Sequence, residues 1–290
     1  GIVLGATLLY AHDNDYGWWE IEEKLQLARD KGHNMWAEYY PYDAASTSIG
    51  SEFLTPDGMK AMDIKYEESM YDPEQDKMLT QAEYEAEVAK NASKLVVIFN
   101  PPRKKWLPYW LRVPHMVVAA DAMPSSLTGD AAWNAPYTAY NGHPRTTAGA
   151  GTVLRMGREE GVPLMFSLAQ LSYWSAKHLG DAGVDAMKVR GRMQEGMVAD
   201  VVIFDPATVR DNATYKAGEQ GLPTTGIPYV IVNGKFVVKD SEFQKVWAGQ
   251  PIRYPVEEKG RFVPVSLEGW TDSKLLHIDD GGVSLNAPGH

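Results

Sequence analysis

Short apolar runs and amphipathic stretches alternate along the first two-thirds of the chain. Leu95–Phe99 and Met116–Ala120 are continuously apolar, and shorter apolar segments occupy Thr7–Ala11 and Met35–Tyr40. A strand without polar–apolar alternation is typical of burial on both faces, as in a parallel sheet. Strands that alternate with helices in this way predict an α/β fold. Residues 43–79 show neither the apolar pattern of a strand nor that of a helix, and they are predicted to be irregular.

Helix signals lie between and after these strands. Trp18–Lys31 carries apolar side chains at helical spacing, which predicts an amphipathic helix. The segment Thr80-Gln81-Ala82-Glu83 has the pattern of a capping box and predicts a helix that runs to about Asn91. Two further helices are predicted, one near Gly151–Gly161 and one that begins at Ser167.

The character of the sequence changes after Gly196. A strand is predicted at Asp200–Pro206, and Tyr229–Val238 forms two short apolar segments around an Asn-Gly pair. An Asn-Gly pair between apolar segments predicts a hairpin with a type I′ turn. No helix is predicted beyond this hairpin. Residues 1–195 are therefore predicted to form the β/α part, and residues 196–290 a small β module with a C-terminal tail.

Composition narrows the classes of function. The 290 residues carry a formal net charge of -10. This balance argues against a nucleic-acid partner, because phosphates require a basic surface. The chain has no cysteine, which excludes disulfides, cysteine nucleophiles and cysteine metal ligands within it. No run of 18 apolar residues is present, so no membrane span is predicted. Nothing in the sequence settles the compartment.

Polar side chains follow three of the predicted strands. His12, Tyr40 and Asp121 each stand at a carboxyl end, where β/α barrels place their catalytic groups. Further along, Arg145 follows His143-Pro144 and has the chemistry to bind a substrate carboxylate through two parallel hydrogen bonds. Each residue also has a plainer interpretation: a structural histidine, a packing tyrosine, a hydrated carboxylate and a cation on a surface loop.

The order of these features resembles the amidohydrolase superfamily, and within it the N-acyl-D-amino-acid deacylases. The resemblance rests on the strand-end His12, then Tyr-Pro-Tyr from Tyr40, then Asp121, then His-Pro-Arg ending at Arg145. The segment Gly191–Pro206 is its most specific part. The resemblance implies the C-terminal portion of a (β/α)8 TIM-type barrel followed by a small β-sandwich module.

The resemblance also implies a role for each site residue. It implies that His12 and Asp121 bind zinc, one or two ions in all, and that Asp121 is the general acid and base. It implies that Tyr40 polarises the scissile carbonyl, that Ser46 contacts the substrate and that Arg145 holds the substrate carboxylate. The implied reaction is hydrolysis of the amide bond of N-acyl-D-amino acids, with N-acyl-D-glutamate as one possible substrate.

Two departures from the family pattern keep other functions open. Asn14 stands where the deacylases have a lysine that also holds the substrate carboxylate, so Asn14 is expected to contact the substrate without an ion pair. The connection from Asp121 to Arg145 spans 145 − 121 = 24 positions, longer than the family pattern. The alternatives are another amidohydrolase activity, such as that of a cyclic amide hydrolase or a dipeptidase, and a catalytically incomplete fragment.

Several expected parts of a complete site have no counterpart in the chain. The family's His-x-His on the first strand, a ligand on the third and a histidine on the fifth are expected to lie before Gly1. At most four barrel strands are predicted, ending near His12, Tyr40, Asn100 and Asp121. The expected partners are a small-molecule N-acyl amino acid and the N-terminal half of the same barrel.

Overall fold

The computed structural model describes residues 8–9, 18–123, 125, 127, 133–253, 266–274, 277–279 and 282–284. Contacts divide the chain into two units, Gly1–Ile252 and Arg253–His290. The boundary near residue 195 that the sequence suggests stays a prediction. None of the helices in the described ranges has the length and apolarity that crossing a bilayer requires.

The described ranges contain both strands and α-helices. The strands are β1 (Leu8–Leu9), β2 (Met35–Tyr39), β3 (Ala44–Ser48), β4 (Met70–Asp72), β5 (Lys77–Met78), β6 (Leu95–Phe99), β7 (Met116–Val118), β8 (Val201–Ile203), β9 (Tyr229–Val232), β10 (Lys235–Lys239), β11 (Glu242–Phe243), β12 (His277–Asp279) and β13 (Gly282–Ser284). The α-helices are α1 (Trp18–Asp30), α2 (Pro56–Ala61), α3 (Tyr66–Ser69), α4 (Gln81–Lys90), α5 (Pro101–Trp110), α6 (Arg145–Glu159), α7 (Leu164–Leu168), α8 (Trp174–Asp181) and α9 (Leu267–Lys274). A π-helical turn, Ala169–Tyr173, joins α7 to α8.

A parallel sheet with the order β1-β2-β7 contains parts of three of the predicted strands. β2 pairs in parallel with β1 on one side and with β7 on the other. This confirms the prediction of parallel strands for these segments. Helix α1 buries Ile21, Leu25 and Ala28, and this face joins a core cluster that also contains Tyr39 of β2 and Trp110 of α5.

Residues 43–99 form a second sheet, inserted between β2 and β7. Its order is β3-β6-β4-β5, and every pairing in it is antiparallel. The prediction that residues 43–79 are irregular was wrong, because this range contributes three strands and two helices. The prediction of a parallel strand at Leu95–Phe99 was also wrong: the strand exists, but its neighbours run antiparallel.

The predicted parallel pairing of Leu95–Phe99 was wrong because an apolar run indicates burial and not strand direction. Val96, Val97 and Ile98 are all buried, so both faces of β6 are covered as the pattern indicates. Val96 and Ile98 pack into a core cluster with Leu54, Met59 and other residues of the inserted segment. Continuous apolarity records burial on both faces and carries no information on the direction of the neighbouring strands. The described parallel strands therefore number three.

Two helix starts differ from the prediction. Helix α6 begins at Arg145, not near Gly151, and the helix expected from Ser167 begins at Leu164. In both cases a proline, Pro144 or Pro163, stands directly before the helix. Proline fixes φ near the helical value and has no N–H that would be left unbonded at a helix start. Ser167 lies inside the helix, so it is not a cap.

The last part of the first unit is a four-stranded antiparallel sheet with the order β11-β10-β9-β8. Asn233 and Gly234 join β9 to β10 with φ values of 48° and 73°, which confirms the predicted type I′ turn. The described residues give one sheet here, and a second sheet of the expected sandwich is not among them. In the second unit, α9 contradicts the prediction that no helix follows the hairpin.

Candidate functional site

Two predicted site residues lie at one edge of the parallel sheet. Tyr39 is the last residue of β2 and pairs with Val118, the last of β7. Ala119 donates a backbone hydrogen bond to the Tyr39 carbonyl at 2.8 Å, which extends the ladder beyond both strands. Tyr40 follows Tyr39 directly, and Asp121 comes two residues after Ala119, so the parallel register brings both to the same carboxyl edge. The predicted residues His12 and Asn14 lie outside the described residues.

Arg145 contacts both of these residues. Its Nη2 lies 2.9 Å from a carboxylate oxygen of Asp121, and its Nε donates to the Asp121 backbone carbonyl at 2.7 Å. Its guanidinium carbon lies 5.2 Å from the centre of the Tyr40 ring. The side chain is 6% exposed, so the interpretation as a surface-loop cation was wrong. The structure thus brings Tyr40, Asp121 and Arg145 together.

The long connection between Asp121 and Arg145 is tied back at both ends. The Met123 backbone N–H donates to Oγ1 of Thr146 at 3.0 Å. The Tyr140 hydroxyl bonds the Met123 carbonyl at 3.2 Å and Oγ1 of Thr146 at 2.7 Å. Because Thr146 lies in the first turn of α6, these bonds hold the start of that helix against the residues that follow β7.

His143 holds the backbone of Arg145 through a hydrogen bond. The Arg145 N–H donates to Nδ1 of His143 at 3.0 Å, so Nε2 carries the ring proton and donates to the Ala44 carbonyl at 3.1 Å. The ring is fully buried. Burial, followed by the positive charges of Arg145 and Arg103, lowers the pKa of His143 to about 3. His143 is therefore neutral at pH 7 and serves both hydrogen bonds.

Arg103 is a site residue that the sequence reasoning missed. It lies in α5, is 3% exposed and donates from Nη1 to the hydroxyl of Tyr40. Its guanidinium carbon lies 5.1 Å from the centre of the same ring. One signal was available: Arg103, Leu107 and Trp110 are spaced as one helix face, and all three are buried. An arginine on an apolar helix face needs a polar partner in the interior.

Ser46 lies in β3 of the inserted sheet. Its half-buried hydroxyl donates to the Val96 carbonyl on the neighbouring strand at 2.9 Å. That bond engages the hydroxyl proton within the sheet. The role of Ser46 as a substrate contact stays a prediction.

Few of the described residues at this edge of the sheet have side chains that can bind a metal ion. Asp121 has a carboxylate with 40% of its side chain exposed, which leaves it accessible at the sheet edge. No group of three His, Cys, Asp or Glu side chains that could hold a metal ion occurs within the described residues. The chemistry of Asp121 fits one ligand among several of a metal ion, and further ligands would have to lie outside the described residues.

Sequence comparison finds a D-aminoacylase that is similar to part of this chain. The D-aminoacylase of Alcaligenes xylosoxydans xylosoxydans is 36% identical over 110 residues, which cover 37% of this chain and 21% of that protein. No family model matches the chain.

Comparison with solved structures extends the likeness to most of the chain. A D-aminoacylase, described as defining a novel subset of amidohydrolases, aligns with a TM-score of 0.62 and 21% identity over 84% of this chain and 49% of its own. A second D-aminoacylase structure, concerned with a binuclear metal centre, gives 0.60 and 22% over 84% and 49%. The N-acyl-D-glutamate deacylase of Bordetella bronchiseptica, bound to zinc and a phosphonate mimic of the tetrahedral intermediate, gives 0.59 and 23% over 82% and 48%.

These matches show a shared fold over part of a D-aminoacylase. The chain spans about half the length of the solved structures that it matches. The local sequence match and the structural matches together confirm the resemblance to D-aminoacylases that the order of motifs indicated.

Proposed function

We propose, from its likeness to the D-aminoacylases, that this chain carries part of the active site of a metal-dependent amide hydrolase. The proposed reaction converts an N-acyl-D-amino acid to a carboxylate and a free amino acid, with N-acyl-D-glutamate among the candidate substrates. The observation that supports it most is the meeting of Tyr40, Asp121 and Arg145 at the carboxyl edge of a parallel sheet. These three residues occupy the positions that match the family's motifs.

Tyr40 is proposed to donate a hydrogen bond to the oxygen of the scissile carbonyl. Its oxygen accepts a hydrogen bond from Arg103, and the phenol carries a proton of its own. Negative charge develops on the carbonyl oxygen as the amide carbon becomes tetrahedral. A donor already aimed at that oxygen stabilises the transition state more than the substrate, and losing one such donor typically costs about 10²–10³ in rate.

Asp121 is proposed to move a proton from the attacking water to the leaving amine. Arg145 holds one of its carboxylate oxygens at 2.9 Å, which fixes the orientation of the carboxylate. A positioned acid or base of this kind contributes about 10²–10⁴ to the rate. Arg145 is also proposed to bind the amino acid's carboxylate. A guanidinium has five N–H donors, of which Asp121 takes two, so others can bind the substrate.

Zinc is the proposed cofactor, with Asp121 and His12 as the ligands that this chain contributes. Bound zinc supplies a water whose pKa is lowered to about 7 and a positive charge that polarises the carbonyl. The chain's own residues then account for proton transfer, oxyanion stabilisation and substrate orientation.

One observation supports an alternative proposal, an amidohydrolase activity on cyclic amides or dipeptides. Asn14 stands where the deacylases have a lysine, and a neutral amide does not form the ion pair that a lysine forms with a carboxylate. A different substrate charge would fit such a site.

The test is a substrate panel with the zinc-loaded, full-length protein. N-acetylated D- and L-amino acids, including D-glutamate and D-aspartate, are compared with hydantoins and dipeptides by measuring amine release. We expect hydrolysis of N-acyl-D-amino acids and a kcat/KM for their L-enantiomers lower by at least about tenfold. Turnover of hydantoins or dipeptides alone would assign the second activity, and no turnover of any amide would overturn the proposal.

A further inference from the structure

Two buried guanidinium groups lie over the ring of Tyr40. The guanidinium carbon of Arg103 is 5.1 Å from the ring centre and that of Arg145 is 5.2 Å from it. Arg145 also bonds Asp121, whereas Arg103 also donates to the Tyr40 hydroxyl itself. The ring is thus held at its face by two cations and at its oxygen by one of them.

We propose that Arg103 is a positioning residue for Tyr40, one that fixes the ring and directs the phenol proton towards the reacting carbonyl. The inference rests on the function proposed above, because it concerns how Tyr40 acts in that reaction. An N–H that donates to the phenol oxygen occupies one side of that oxygen, so the O–H proton turns to another side. A charged donor also polarises the hydroxyl and makes it a stronger donor to the substrate.

Both ends of this contact are anchored close to the site. The Asn100 side chain accepts from the Arg103 N–H and caps α5. The Asn100 backbone N–H donates to the Asp43 carbonyl at 2.9 Å, three residues beyond Tyr40. The inserted sheet therefore ends beside the strand end that carries Tyr40, and α5 leaves it with Arg103 in its first turn.

The burial of Arg103 indicates that its guanidinium has a role beyond packing. Removing a guanidinium from water costs free energy, and an apolar side chain of similar volume packs an interior at least as well. Arg103 shares its helix face with Leu107 and Trp110, which are both apolar. At 5.1 Å from the ring centre, its guanidinium also makes a cation–π contact that restrains the plane of the ring.

A double-mutant cycle tests the inference in the zinc-loaded, full-length protein, using the best substrate of the panel. The variants are Arg103→Met, Tyr40→Phe and the two combined, with Lys104→Met as a control that removes an exposed cation from the same helix. We expect Arg103→Met to lower kcat by about 10- to 100-fold and to change KM by less than about threefold. In the Tyr40→Phe background the same change should cost less than about twofold.

Arg103→Lys keeps the charge and one donor but loses the planar fork, so it should recover part of the lost kcat. The inference would be overturned if the kcat losses of the two single variants multiplied in the double variant. It would also be overturned if Arg103→Met changed KM alone, or if Lys104→Met lowered kcat as much as Arg103→Met does.

A second arm does not depend on activity. The protein is labelled with 3-fluorotyrosine, and the Tyr40 resonance is assigned by its absence in Tyr40→Phe. Arg103→Met and Arg103→Lys should both move this resonance. A resonance that stays unchanged in both variants would overturn the inference. A wild-type protein inactive on every amide, with the expected fluorine shifts, would instead overturn the proposed function and keep the contact.

Discussion

Asp121 combines an unusual backbone conformation with a restrained side chain. Its φ is 44°, in the left-handed region, which aspartate and asparagine tolerate better than most residues. Arg145 bonds both its carboxylate and its backbone carbonyl. Asparagine therefore replaces it with little backbone strain and keeps an oxygen for Arg145. It loses the negative charge, and with it the ability to take up a proton and part of the affinity for a metal ion.

We expect Asp121→Asn in the full-length protein to lower kcat by about 10²–10⁴ while the protein remains folded, because a positioned proton acceptor is removed. Steady-state kinetics and thermal unfolding of the same preparation measure the two effects. Asp57→Asn, which removes an exposed carboxylate from α2, is the matched control. Normal turnover in Asp121→Asn would exclude this residue as the general acid and base.

His143 stabilises the site only in its neutral form. Its two ring nitrogens serve the Arg145 N–H and the Ala44 carbonyl, and protonation of Nδ1 would break the first bond. Its pKa is about 3 in the folded protein, below the usual value near 6.5. The unfolded state therefore binds the proton first as the pH falls, and stability is lost progressively from about pH 6.5 towards pH 3.

The variant His143→Gln tests this pH dependence, because glutamine donates and accepts hydrogen bonds but does not titrate. Between pH 6 and pH 4.5, the free energy of unfolding should fall less steeply than in the wild type, by up to about 1.4 kcal/mol per pH unit. Urea unfolding at several pH values gives both slopes. The slopes should coincide between pH 7.5 and 8.5, where the histidine is neutral in both states. Equal slopes over the acidic range would contradict the assignment.

At the scale of elements, the inserted sheet carries its own core and its own helix cap. Thr80 accepts from the Glu83 N–H, and the Glu83 carboxylate accepts from the Thr80 N–H at 2.8 Å. The Glu83 carboxylate also bonds Lys77, and this bond, followed by those from Thr80, lowers the pKa of Glu83 to about 2. The capping box predicted from the sequence is thereby confirmed, since both of its partners lie within three residues of each other.

Removing this cap should loosen α4 without reaching the candidate site. Thr80→Ala is expected to lower the free energy of opening of α4 by about 1 kcal/mol, because one helix N–H loses its acceptor. Amide hydrogen exchange over residues 84–88 measures it, with Ser93→Ala as the control at an exposed position of the same insertion. Unchanged protection in Thr80→Ala would show that the cap contributes little there.

At the scale of the whole molecule, the parallel strands place the candidate site residues at one edge of the sheet. The chemistry of these residues decides how many metal ligands this edge can supply. The site edge offers Asp121 among the described residues, so a metal bound there would join this edge to ligands elsewhere. Metal binding that joins distant segments stabilises the folded protein as well as the reaction.

We expect chelation of the full-length protein to abolish amide hydrolysis and to lower its thermal midpoint, and zinc to restore both. Elemental analysis should give less zinc in Asp121→Asn than in the wild type. Activity that survives a metal content near zero would contradict a zinc-dependent mechanism.

The sequence by itself determined the local features and the order of the chemical groups. Helix α1, the capping box of α4, the β9–β10 turn and the extents of strands β2 and β7 depend on spacing and caps within a few residues. The likeness to D-aminoacylases likewise followed from the order of motifs.

Only the tertiary structure decided which residues meet. Arg103 lies 63 positions from Tyr40, and Arg145 lies 24 positions from Asp121. No periodic pattern in the sequence indicates that residues with these separations along the chain come into contact. The direction of the strands beside β6 was decided in the same way, because a backbone pairs with whichever strand the folded chain places beside it. Local rules act through neighbours in sequence, whereas burial of two arginines over one tyrosine ring requires packing among α5, α6 and the edge of the sheet.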